Sequence, residues 1–182
     1  LVSGVCFADL GNEVGFLLAI VGPFLGSFAD RKNKIVFFLR LFSILCIFST
    51  SLLWFAKPFP EYLFYTLVVV GISNFFYELN LIFYNSLLKD ISKSKNLGKS
   101  SGLGFALGYI GGIIILFISI KLFIENDNLP FGLSKENAQN IRATAILVSV
   151  WFLLFASPFL FFVKKKAKNP TSVNFSELKN LV

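Results

Sequence analysis

Five long apolar runs set the limits on what this chain can be. They read GNEVGFLLAIVGPFLGSFA at 11–29, IVFFLRLFSILCIFSTSLLWFA at 35–56, YLFYTLVVVGISNFFYELNLIFYNSLL at 62–88, LGFALGYIGGIIILFISIKLFI at 103–124 and ATAILVSVWFLLFASPFLFFV at 143–163. A helix needs about 20 apolar residues to cross a hydrocarbon layer roughly 30 Å thick. None of the runs alternates apolar with polar residues, as the strands of a membrane barrel do. In lipid a helix satisfies its own backbone N–H and C=O groups, and that decides the class. The expected fold is all-α, a polytopic transmembrane helix bundle over 1–163. A basic tail or central-loop start follows at 164–182.

Composition agrees. The chain is 55% hydrophobic and carries 24 Phe among 182 residues, more apolar surface than one soluble core can bury. Its net charge of +7 would suggest nucleic acid if the cations were gathered on one surface, but they are not. Arg31, Lys32 and Lys34 follow the first run. Lys89, Lys93, Lys95 and Lys99 follow the third, and Lys164, Lys165, Lys166 and Lys168 follow the fifth. The two intervening loops are poor in net positive charge. By the positive-inside rule the three basic segments are cytoplasmic. The expected setting is the cell (inner) membrane, with the lipid bilayer as partner and no nucleic acid.

Several chemistries are absent. There is no His, and the two Cys, Cys6 and Cys46, have no partner spacing, so they read as small buried hydrophobes. No metal, cofactor or catalytic residue is expected. The stretch NLGKS at 96–100 echoes a phosphate-binding loop, but that motif needs Gly where Lys93 stands. An intramembrane enzyme would need paired carboxylates or a nucleophile with its base. Glu78 is the one acid plainly at mid-membrane. The chain opens at Leu1 and contains no Met, so it reads as a fragment.

Between the first two runs stands GSFADRKNK, residues 26–34. Its pattern resembles the signature loop between helices two and three of the major facilitator superfamily, matched at Gly26, Asp30, Arg31 and Lys34. Asn33 replaces the usual Gly. FYNSLLKDI at 83–91, GKSSGLGFALGYIGG at 98–112 and WFLLFASPFLFFV at 151–163 resemble its vacuole-effluxer branch, related to autophagy-linked amino-acid effluxers of fungal vacuoles. The resemblance implies a twelve-helix transporter of two halves. The five runs would be helices two to six, an incomplete N-terminal half whose missing second half is a partner. It implies secondary active transport of a small-molecule substrate, amino acids in the fungal relatives, by alternating access. The alternative is a non-transporting membrane scaffold or assembly subunit.

Asp30 lies where its own helix terminus is already negative, so a specific partner is expected. The resemblance makes it, with Gly26, Arg31 and Lys34, a cytoplasmic gate. In the third run, Asn74, Tyr77, Glu78 and Asn85 share one helical face, flanked by Ser73 and Leu81. Hydrocarbon disfavours such a stripe, so it should face protein or a water-filled cavity. Glu78 has two readings: a proton-coupling or substrate group, or a structural ion pair with Arg40. Gly104, Gly108 and Gly112, with Gly111, form a small-residue packing face. Tyr109 stands among them, where antiporter branches carry Pro, and is a further cavity candidate. Pro23 and Pro158 fall within helices. Trp54 reads as an interfacial anchor, and Trp151 as packing.

Overall fold

The computed structural model describes residues 2–31, 34–92, 96–126 and 128–162. Of residues 2–13, 30, 90 and 91 it describes the backbone alone. The basic tail, Lys93 and Lys95 lie outside the described residues.

The regular structure among them is helical: α1 Val2–Arg31, α2 Ile35–Leu52, α3 Leu63–Ile91, α4 Leu97–Ser119 and α5 Gln139–Phe162. The helices follow the apolar runs but start earlier than three of them, at Val2, Leu97 and Gln139, and α2 and α4 pass into tighter or wider turns before their runs end. A hydrophobic run marks only the part in hydrocarbon, whereas the backbone winds on through polar residues at the boundary. Four helices, with their flanking turns, are long and apolar enough to cross a membrane. In α1 the described apolar stretch is Val14–Ala29.

Local chemistry sets the ends. Between α1 and α2, the Lys34 N–H donates to the Ala29 carbonyl at 2.9 Å, and the Lys34 carbonyl accepts from Phe38 N–H at 3.0 Å. Pro60 opens the short 3₁₀ turn Pro60–Tyr62 that leads into α3, a position where its missing N–H costs nothing. A five-residue π turn, Ile120–Ile124, ends α4. α1 and α5 run continuously through Pro23 and Pro158.

α2 is the centre of the bundle. It packs along α3 and against α5, and α1 lies on α3. The core joins Ala29, Ile35, Leu39, Phe42, Leu79, Phe83 and Leu87. Phe38, Phe42 and Phe83 stack with ring centroids 5.5–6.1 Å apart. Lipid tails are as apolar as these side chains, so close packing rather than water exclusion holds the helices together. Each aromatic pair adds about 0.5–1.5 kcal/mol. Cys46 is buried, and its thiol lies 3.8 Å from the Ser73 carbonyl.

The two ends of the bundle differ. Arg31, Lys34, Lys89 and Lys99 belong to the end where α1 meets α2 and α3 meets α4, called here the basic end. At the opposite end Arg142 of α5 donates through Nε to the Trp54 carbonyl, and its guanidinium sits 5.0 Å above the Trp54 ring.

Candidate functional site

α3 presents three different faces. Val69, Leu79, Phe83 and Leu87 are buried and carry the helix against its neighbours. Asn80 donates through Nδ2 to the Ser43 hydroxyl at 2.9 Å, tying α3 to α2 inside the bundle. On the α1 side Gly22 allows a close approach: a Cβ there would stand 3.1 Å from Ile82 Cδ1, which would have to give by a few tenths of an ångström.

The remaining face carries Asn74, Tyr77, Glu78 and Asn85. Asn74 and Glu78 are half-buried, Asn85 is exposed, and Tyr77 is 51% exposed. Tyr77 and Glu78 fall at the middle of Leu63–Ile91. The polar stripe is therefore open at Tyr77 and Asn85 and half covered at Asn74 and Glu78.

Glu78 is two residues from Asn80, about 200° around a helix of 3.6 residues per turn, while Asn80 is the residue that reaches α2. Arg40, on α2, is itself engaged. The pairing of Arg40 with Glu78 stays a reading of the sequence.

The glycines of α4 also divide. A Cβ on Gly104 would stand 2.6 Å from the Tyr84 hydroxyl, and one on Gly111 would stand 3.9 Å from Trp151 Nε1. These two positions bring α4 to α3 and α5. At Gly108 and Gly112 a Cβ would meet nothing within 4 Å, so the expected four-membered packing face is not shared equally. Tyr109 is 73% exposed on the outer side of α4. Trp151 packs on Phe155, 4.7 Å between centroids.

Of the gate motif, Gly26 is half-buried with nothing within 4 Å of a built Cβ. Arg31 is exposed at the last residue of α1, and Lys34 lies 6.0 Å over the Phe37 ring. Asp30 is in the last turn of α1, and its side chain lies outside the described residues. Sequence reading missed Asn80, Ser43, Gly22 and Tyr84. Their contacts depend on helix rotation, although Asn80 in the middle of an apolar run was a usable signal.

Together these features define a multi-pass membrane helix bundle with one polar helix face at mid-depth. Residues 12–182 match the family described as "Vacuole effluxer Atg22 like", and the chain belongs to that family. It is 30% identical over 163 residues to "Uncharacterized MFS-type transporter YxiO" of Bacillus subtilis (strain 168), covering 83% of this chain and 36% of the relative. It is 36% identical over 110 residues to an "Uncharacterized protein" of Aquifex aeolicus (strain VF5), 59% of this chain and 26% of that one. It is 34% identical over 73 residues to "Autophagy-related protein 22" of Yarrowia lipolytica (strain CLIB 122 / E 150), 40% of this chain and 11% of that one. The chain thus spans about a third or less of the length of these curated relatives. No solved structure matches it.

Proposed function

We propose that this chain is part of a secondary transporter that moves a small solute across the cell membrane by alternating access. The observation that carries the reading is the α3 stripe. Asn74, Tyr77, Glu78 and Asn85 occupy one face, half-buried at Asn74 and Glu78 and exposed at Tyr77 and Asn85, in a helix long and apolar enough to cross lipid. A polar stripe at that depth is costly unless it meets protein or water. The rest of the relatives' length supplies a natural opposite wall, with a solute path between.

Amino acids are the proposed substrate class, supported by the resemblance to the fungal effluxers and by the family's description as an effluxer. Glu78 is proposed as the group that exchanges protons with the path, since an acid at mid-membrane is suited to that role. Asp30, with Gly26, Arg31 and Lys34, is proposed as the cytoplasmic gate.

The test is reconstitution of the full-length protein in liposomes with a panel of amino acids and an imposed pH gradient. Saturable flux that responds to the gradient is expected, and Glu78→Gln should express normally but lose the pH-dependent component. Absence of saturable flux for every amino acid would remove the substrate class. Unchanged pH dependence in Glu78→Gln would remove the coupling role.

A further inference from the structure

Residues 80, 82 and 84 of α3 each reach a different helix. Asn80 donates through Nδ2 to the Ser43 hydroxyl of α2 at 2.9 Å. Ile82 Cδ1 lies 3.1 Å from where a Cβ on Gly22 of α1 would stand, and the Tyr84 hydroxyl lies 2.6 Å from where one on Gly104 of α4 would stand. At 3.6 residues per turn, Tyr84 stands about 40° around the helix from Asn80, and Ile82 about 200°. In the same sense Asn74, Glu78 and Asn85 stand about 120–160° from Asn80. The polar stripe therefore falls in the sector between the contact to α4 and the contact to α1.

The bond from Asn80 is made in apolar surroundings. Ser43 is 3% exposed, and Phe42, Leu79 and Phe83 beside the pair are buried. Two turns along, on the same side of α3, the Cys46 thiol lies 3.8 Å from the Ser73 carbonyl. Apolar faces meet one another in lipid with little preference for one rotation, because the tails are equally apolar. A polar pair does prefer one: any other rotation leaves an amide and a hydroxyl in hydrocarbon. A single polar residue in an apolar helix seam fixes register in this way.

We propose that Asn80 is a positioning residue. Its bond to Ser43 sets the rotation of α3, and that rotation aims Asn74, Glu78 and Asn85 into the one sector between α1 and α4. That the sector borders a solute path rests on the transport reading; the rotation does not.

The test uses the full-length protein in lipid nanodiscs. In a Cys-free background, single cysteine substitutions at residues 74–79 and 81–85 are reacted in turn with the aqueous probe methanethiosulfonate ethyltrimethylammonium. Reactivity should follow the helix period and peak on the face of 74, 78 and 85. In Asn80→Leu the peak should move around the helix by about half a residue step, about 50°. Asn80→Ser, which draws the donor out of reach, should do the same. Ser43→Asn combined with Asn80→Ser rebuilds the pair in reverse and should bring the peak back. Loss of stability alone would change all rates without moving the peak. In a second background that keeps Cys46, Ser73→Cys should be bridged to it by mercuric ion. Losing an interhelical hydrogen bond should lower that bridging by about tenfold in Asn80→Leu. An unmoved peak or unchanged bridging in the folded single variants would overturn the proposal, and so would failure of the exchange to restore them. A flat, inert profile along α3 would remove the water-filled path of the transport reading, and bridging would then decide the rotation by itself.

Discussion

Arg142 and Trp54, 88 residues apart, are joined twice: the Arg142 Nε donates to the Trp54 carbonyl, and the guanidinium lies over the Trp54 indole. Both contacts use one planar group, which pins the start of α5 to the end of α2. A hydrogen bond from a charged donor is worth about 1.5–3 kcal/mol, and a cation over an aromatic face about 0.5–2 kcal/mol. Arg142→Ala should therefore cost about 2–3 kcal/mol and lower the thermal midpoint of the purified protein. Arg142→Lys keeps the charge but not the planar fork, and should recover at most part of the loss. Trp54→Phe keeps the carbonyl and a ring, so it should cost less than Arg142→Ala. Wild-type stability in Arg142→Lys would show that the double contact is not what holds α5.

Gly104 and Gly108 look alike in the sequence but should respond oppositely to alanine. At Gly104 the new methyl would sit 2.6 Å from the Tyr84 hydroxyl. Relieving that overlap should cost about 1–3 kcal/mol. Tyr84→Phe removes the obstructing oxygen and should restore most of the stability lost in Gly104→Ala. At Gly108 the methyl meets nothing, and the helix gains about 0.5–1 kcal/mol. Denaturation of the four variants in detergent decides it. Equal effects at the two positions would contradict the assigned α3–α4 seam.

This contrast marks how far the sequence could be read. The helices were legible because lipid leaves the backbone few alternatives, and an apolar run of sufficient length states its own conformation. The stripe of Asn74, Tyr77, Glu78 and Asn85 was legible because a shared helix face follows from spacing alone. Which neighbour each face meets was not. Spacing alone grouped Gly104 with Gly108 and Gly112. That inference lacked the rotation of one helix against another. That rotation is set by contacts such as Asn80 to Ser43 and Ile82 against Gly22, which join residues far apart in the chain. The π turn at 120–124 was also hidden, since its residues read as ordinary helix formers in lipid.

Glu78 lies about 200° around α3 from Asn80, the residue that bonds α2, so substitutions at Glu78 and Arg40 should act independently. Pairs that do not share partners add within about 0.3–0.5 kcal/mol, whereas a broken buried pair costs about 3–5 kcal/mol that the double change recovers. Glu78→Gln, Arg40→Gln and the double variant should therefore give additive shifts in the unfolding midpoint. Recovery in the double variant would restore the ion pair.

The orientation of the bundle in its membrane can be tested at two exposed residues. Lys99 lies at the basic end, beside the start of α4, and Asn128 lies in the loop between α4 and α5. Arg31, Lys34, Lys89 and Lys99 fall at one end, and the positive-inside rule sends such an end to the cytoplasm. In a Cys-free background, Asn128→Cys should react with an impermeant maleimide in intact cells. Lys99→Cys should react only after the membrane is opened. The loop around Asn128 carries Glu125, Asp127 and Glu136 against Lys135 and Arg142, so it offers little resistance to crossing. Labelling of Lys99→Cys in intact cells, with protection of Asn128→Cys, would invert the bundle. It would place Trp54 and Arg142 on the cytoplasmic side.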